Sequence, residues 1–278
     1  VEIVEAVFLY RVWMSLALRK KHIGGIIMRI SVNVGAVFNG WDFFEAMEAV
    51  KKAGLDAFEF WTWWDRDIDE IDRARISLGL ETTAICTKFI SLVDPDKRQE
   101  YRDALRDSLE VAKILECKAI ISQVGDEIPG IPRETQRLNI VEGLRSCVPM
   151  LEKAGVTLVF EPLNTLVDHK GYFLWSSEEA FEIQSMIGSD NVKVLYDIYH
   201  QQIMEGHLIS RITKNIDRIG YFHAAGNPGR HELTTGEINY PEVFKAIRET
   251  GYKGFVGLEY FPLEEPLEGL KELVSLIG

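Results

Sequence analysis

From Arg29 onward, short runs of β-branched and aromatic residues alternate with longer segments whose apolar positions recur at helical spacing. Eight short runs read as strands: Ile30–Val34, Ala57–Trp61, Glu81–Thr87, Ala119–Val124, Thr157–Glu161, Lys193–Asp197, Gly220–His223 and Val256–Glu259. Between them lie amphipathic stretches that read as helices, among them Asp42–Ala53, Pro95–Glu116, Arg133–Ala154, Ser177–Ile187 and Tyr240–Glu249. Asp42 and Ser177 are placed to cap two of these, because a short polar side chain can accept from the free N–H groups of the first turn. Gly54, Gly155 and Gly251 stand where a helix ends in the left-handed conformation that glycine adopts without strain. Strands alternating with helices indicate βα units around a parallel sheet. Eight units with no linker or composition break predict an α/β protein made of a single (β/α)8 TIM barrel over residues 28–278. A doubly wound open sheet would carry a glycine-rich phosphate loop after its first strand, and Asn33-Val34-Gly35-Ala36 is not one.

Residues 1–27 do not fit this alternation. They are apolar as far as Leu18 and then basic at Arg19, Lys20 and Lys21. A secretory signal places its positive charge before the apolar run, and this run is too short to span a bilayer. The segment is expected to be an extension outside the barrel.

Composition narrows the function. The 278 residues carry a formal charge of −12, which repels phosphate backbones, and there is no Lys/Arg run to offset it, so nucleic acid is not an expected partner. No membrane partner is expected either. Cys86, Cys117 and Cys147 are widely separated and odd in number, which suits buried thiols in a reducing cytoplasm.

The chemistry lies at the strand ends. A TIM barrel builds its active site at the C-terminal ends of its strands. In the second half of the chain those ends read Glu161, Asp197, His223 and Glu259, at spacings of 36, 26 and 36 residues. Each follows an apolar run, so four consecutive strands present three carboxylates and an imidazole to one mouth. Charges there are costly to bury and repel one another, and a divalent cation relieves both problems. Three oxygens and one nitrogen suit Mn2+, Mg2+, Co2+ or Zn2+, with Mn2+ the first choice. Taken singly, Asp197 could equally be a helix cap and His223 a neutral core histidine. Further candidates on the rim are His200, three residues after Asp197; Arg230, which either clamps a substrate oxygen or is a solvated loop residue; and Lys88 and Gln123 for substrate hydroxyls. Trp61, Trp63 and Trp64 are placed to shield one side of the pocket.

Three segments carry a resemblance: Glu161-Pro162-Leu163-Asn164, Tyr196-Asp197-Ile198-Tyr199-His200-Gln201-Gln202, and Pro228-Gly229-Arg230-His231-Glu232 followed by Thr235-Gly236-Glu237-Ile238-Asn239-Tyr240. With these the chain resembles the hydroxypyruvate isomerase branch of the xylose-isomerase-like barrels, whose kin include D-tagatose 3-epimerase. The resemblance implies that Glu161, Asp197, His223 and Glu259 hold one divalent metal. It makes Glu161 and Glu259 the acid/base pair, with His200 and Arg230 binding substrate oxygens, and it implies a homodimer. Two positions depart from the pattern. His223 matches the ketose 3-epimerases, whereas Gln is expected in hydroxypyruvate isomerases, and Val167 stands where ketose epimerases carry a substrate-binding Glu.

The expectation is a metal-dependent isomerase or epimerase acting on a small ketose or hydroxy-carbonyl compound through an enediolate. A ketose 3-epimerase is the principal reading and hydroxypyruvate isomerase the alternative. An endonuclease IV-like enzyme would need several more histidines on the early strands to hold three zincs, and a non-catalytic sugar-binding barrel would have no use for two opposed glutamates.

Overall fold

A computed structural model of the chain describes residues 28–277. The expected extension, residues 1–27, lies outside the described residues, as does Gly278. The strands are β1 (Arg29–Asn33), β2 (Ala57–Phe60), β3 (Glu81–Cys86), β4 (Ala119–Ser122), β5 (Thr157–Phe160), β6 (Val192–Asp197), β7 (Ile219–Ala224) and β8 (Phe255–Leu258). They close in sequence order into an eight-stranded barrel in which neighbours are parallel and β8 pairs with β1. The predicted barrel is therefore present, with strand bounds shifted by a residue or two. Among the described residues no helix is long and apolar enough to cross a membrane.

Local chemistry explains the differences from the predicted helices. The stretch Arg133–Ala154 divides into Arg133–Arg145 and Val148–Ala154. Pro149 sits in the first turn of the second helix. It has no N–H to give to a preceding turn, and its ring would collide with the carbonyl four residues back. The cap expected at Ser177 belongs to Ser176, whose hydroxyl accepts from the backbone N–H of Glu179. Ser177 instead gives its hydroxyl to Glu205 at 2.5 Å. Asp42 caps Phe43–Lys52 as predicted, accepting from Phe44 and Glu45.

The core has two layers. The larger cluster joins outward strand residues such as Phe58, Phe60 and Phe160 to helix residues such as Leu105, Leu144, Ile183 and Phe244. A second cluster of Ala84, Cys86, Ala119, Ile121, Val159, Leu195 and Tyr221 draws on strands alone, which places it inside the barrel. Apart from Tyr221 its side chains are small or medium in size, and the polar groups at the strand ends lie above them. All three cysteines are buried and free.

Tyr240 ties the helix Tyr240–Glu249 to the end of β7. Its hydroxyl accepts from the N–H of Ala225 at 3.0 Å and donates to the carbonyl of the same residue at 2.7 Å, in a fully buried setting. Tyr240→Phe strands both backbone groups and is expected to cost about 1–3 kcal/mol, measured by urea denaturation. A loss below a few tenths of a kcal/mol would show that this tie contributes nothing to stability.

Candidate metal centre and active site

Glu161 and Glu259 lie one residue beyond β5 and β8, Asp197 ends β6, and His223 lies in β7. The four predicted side chains converge: they are 4%, 5%, 1% and 1% exposed in that order, and a ligand atom from each lies within 4.8 Å of the others. Nδ1 of His223 is 3.3 Å from Oε2 of Glu259 and 3.7 Å from Oε1 of Glu161. Asp197 caps a helix with one oxygen and turns the other to the centre. Oδ1 caps the helix Ile198–Met204, accepting from the N–H groups of Tyr199 at 2.7 Å and His200 at 3.3 Å. Oδ2 faces the centre.

Whether these residues fit a metal can be judged from their unused valences. Oε1 of Glu161, Oδ2 of Asp197 and Nδ1 of His223 are all buried and have no hydrogen-bond partner. Buried polar atoms are nearly always paired, so three orphans aimed at one point call for a ligand there. Three oxygens and one imidazole nitrogen without a thiolate fit a divalent ion of the Mn2+, Mg2+, Co2+ or Zn2+ kind.

The two glutamates differ in surroundings. Oε1 of Glu259 accepts from the indole N–H of Trp61 at 2.6 Å and from the Asn33 amide at 3.3 Å, while Oε2 accepts from the Arg230 guanidinium. Burial alone would raise its pKa, but the His223 and Arg230 charges and the Trp61 bond outweigh burial and hold it well below the usual carboxylate range. Glu161 lacks comparable donors, and burial raises its pKa despite the nearby His223. Burial likewise pushes Asp197 up to about 7 against the pull of Arg230. For His223, burial favours the neutral ring, yet Glu259 and Glu59 prevail and hold the imidazolium to well above its ordinary pKa.

A cavity of about 910 Å3 opens above the centre. Glu161, Glu259, His200, Arg230, Gln123 and Trp61 line it, as do His169 and Lys97. Burial and the positive charge of Arg230 keep His200 neutral, with its pKa well below the ordinary histidine value. Its Nδ1 accepts from the Asn164 side-chain amide at 2.7 Å and from the Asn164 backbone N–H at 3.3 Å. The ring proton therefore sits on Nε2, which completes no regular hydrogen bond, its neighbouring acceptor being Oδ2 of Asp197 at 3.4 Å, and can donate to a substrate oxygen. Arg230 is no solvated loop residue: its side chain is 15% exposed, and its guanidinium meets Glu259 and comes within 3.7 Å of Asp197. Its φ of 58° turns the loop so that the side chain reaches inward. Lys88 does not line the cavity. Its ammonium lies 3.8 Å from Asp107 and 5.4 Å from the Trp63 ring.

Sequence reading missed four contributors: Asn33, His169, Glu59 and the Trp61–Glu259 bond. The first-half strands end without carboxylates, so the contributors near them leave a weaker signal in the sequence. Glu59 lies in mid-strand, and its signal is strand periodicity. Phe58 and Phe60 pack on Phe43 of the adjoining helix, which sends the residue between them into the barrel.

Fold and site together define a (β/α)8 enzyme with a buried carboxylate–imidazole centre at the barrel mouth. The family model described as xylose isomerase-like TIM barrel matches residues 47–277, and the chain belongs to that family. It is 34% identical to the hydroxypyruvate isomerase of Escherichia coli over 88% of this chain and 98% of that one. It is 29% identical to the 2-oxo-tetronate isomerase of Cupriavidus necator over 90% and 99% of the two chains. Among solved structures, one titled AP endonuclease, family 2, from Brucella melitensis superposes with a TM-score of 0.85 at 30% identity, covering 89% of this chain and 98% of that one. The chain is an enzyme of the isomerase class.

A metal held at this centre would compete with protons for it. Nδ1 of His223 and the Asp197 carboxyl must be unprotonated to bind a cation. Lower pH favours their protonated forms, so Mn2+ affinity is expected to fall as pH drops through about 7. Isothermal titration in buffers of differing ionisation enthalpy should detect protons released on binding, and binding without proton release would contradict this electrostatic account.

Proposed function

We propose that the chain isomerises a small 2-oxo hydroxy acid, moving a proton between adjacent carbons, with one divalent metal held by Glu161, Asp197, His223 and Glu259. The observation that carries this reading is the pair Glu161 and Glu259 facing one cavity from a centre with three orphaned ligand atoms. When bound, the metal supplies a Lewis acid that polarises the substrate carbonyl and stabilises charge on its oxygen.

The chain's own residues move the protons. A glutamate removes the hydrogen from the hydroxyl-bearing carbon and returns it to the former carbonyl carbon. The hydroxyl proton passes between the two oxygens, so the reaction is balanced without an oxidant. Glu161, with few donors and a raised pKa, suits the proton carrier. Glu259, fixed by Trp61, Asn33 and Arg230, stays anionic. The Nε2–H of His200 and the guanidinium of Arg230 orient the substrate oxygens.

Two observations favour isomerisation over the 3-epimerisation expected first. The relatives named above are isomerases of 2-oxo acids, one of them 34% identical. Val167 is 61% exposed and does not line the cavity, so no carboxylate stands there for a ketohexose. His223 is the observation on the epimerase side, and ketose 3-epimerase is the second reading. The nuclease title of the Brucella structure has weaker support here: among the described residues, one four-residue grouping fits a metal, and the net charge of −12 opposes a phosphate backbone.

The test is incubation of Mn2+-loaded protein in D2O with hydroxypyruvate, a four-carbon 2-oxo acid, D-fructose, D-tagatose and the ribuloses, followed by proton NMR. The expected result is the aldehyde isomer from hydroxypyruvate and the 3-oxo isomer from a four-carbon 2-oxo-3-hydroxy acid, with deuterium at the former carbonyl carbon to the extent that the carrying glutamate exchanges its proton with solvent before returning it. Glu161→Gln and Glu259→Gln are each expected to lower kcat by roughly 10²–10⁴-fold. Deuterium entering only at C3 of a ketose, with its epimer, would replace this reading with the second.

A further inference from the structure

We propose that Glu59 is a positioning residue that selects which nitrogen of His223 faces the metal; this rests on the metal reading above. Glu59 lies in β2, opposite Asn33 of β1 in register, and is fully buried inside the barrel. Its Oε1 is 2.7 Å from Nε2 of His223, an ion-pair contact in which neither atom completes a regular hydrogen bond. On the other side of the ring, Nδ1 faces Glu161 and Glu259. A carboxylate accepts and cannot donate, so Nε2 keeps its proton against Glu59, and the proton that a cation arriving between Glu161 and Glu259 would displace is the one on Nδ1. Glu59 thus makes Nδ1 the ligand atom.

The site around Glu59 is built to hold it in that pose. Oε2 accepts from the Tyr221 hydroxyl, which is 2.8 Å from the Thr83 hydroxyl, itself 2.6 Å from that of Ser31. This chain of hydroxyls runs beneath the metal centre from β7 to β3 to β1. The facing residue on β8 is Gly257, where a Cβ would lie 2.6 and 2.8 Å from the two Glu59 oxygens and 2.8 Å from Cδ2 of His223. A side chain there would displace the pair. Glu59 itself does not line the substrate cavity, so its effect passes through His223.

Glu59→Gln keeps the shape and inverts the logic. With Tyr221 donating to the amide oxygen, the amide NH2 faces Nε2, which must then accept, and the ring proton moves to Nδ1 on the metal side. The expected result is a 10–100-fold loss of Mn2+ affinity, measured by titration calorimetry on the intact protein. Tyr221→Phe frees the carboxylate without removing it and is expected to lose less affinity than Glu59→Gln. In the Zn2+-loaded wild type, a slowly exchanging, downfield Nε2–H resonance of His223 is expected by NMR, and Glu59→Gln should abolish it. Unchanged Mn2+ affinity in folded Glu59→Gln overturns the proposal even if thermal stability falls, since that pattern marks a structural role alone. A metal-bound Nε2 in the wild type overturns it too. Failure of the wild type to bind Mn2+ or Zn2+ overturns the metal reading, and this proposal with it.

Discussion

Three carboxylates brought together out of water repel one another, and each also resists losing its hydration. Glu161, Asp197 and Glu259 are all at most 5% exposed, and Glu59 lies directly beneath them. Everything else at the barrel mouth is arranged around that concentration of negative charge. His223 and Arg230 are held as cations by it, as the raised pKa of each reflects against the cost of burial. They are poor permanent solutions. His223 leaves Nδ1 unpaired, and Arg230 meets Glu259 but stands 3.7 Å from Asp197. A small divalent ion would reach all four side chains at once, since a ligand atom of each lies within 4.8 Å of the others.

The parallel barrel makes such a concentration possible. Neighbouring strands in register deliver their C-terminal residues to one level, as the pairing of Asp197 with His223 shows. The apolar interior cluster supports the polar layer from below, and the helix that begins at Ile198 takes one oxygen of Asp197 as its cap while leaving the other for the centre. One aspartate therefore joins the fold to the site. The two glutamates come from strands on different sides of the barrel and meet different donors, so chemically identical groups acquire opposite tendencies toward the proton.

Much of this was legible in the sequence, for identifiable reasons. Strand–helix alternation is a pattern of local origin, and it located all eight strands. A charged residue ending an apolar run conflicts with its surroundings, and such conflicts at Glu161, Asp197, His223 and Glu259 pointed to the site. What escaped depended on three-dimensional neighbours. Trp61 looked like a shield because its indole N–H reaches a residue 198 positions away. Lys88 sits near the end of β3, and its ammonium lies by Asp107 and Trp63 rather than along the cavity lining. Arg230 was ambiguous because loop conformation, with its φ of 58°, decides where the side chain goes. Glu59 was hidden in a strand of only four residues, too short for alternation to be conspicuous.

Isomerisation and epimerisation need the same beginning, since both remove a proton beside a polarised carbonyl. They part at the return of the proton, which goes to the neighbouring carbon in one case and to the opposite face of the same carbon in the other. The asymmetry between Glu161 and Glu259 bears on that choice. Epimerisation asks both carboxylates to exchange protons with carbon, one as base and the other as acid. A Glu259 pinned by an indole, an amide and a guanidinium gives up its anionic form reluctantly and makes a poor acid. A Glu161 that titrates more easily can serve as both base and acid on one face, which is what transfer between adjacent carbons requires. On the proposed reading, the donors around Glu259 thus bias the pair of glutamates toward isomerisation.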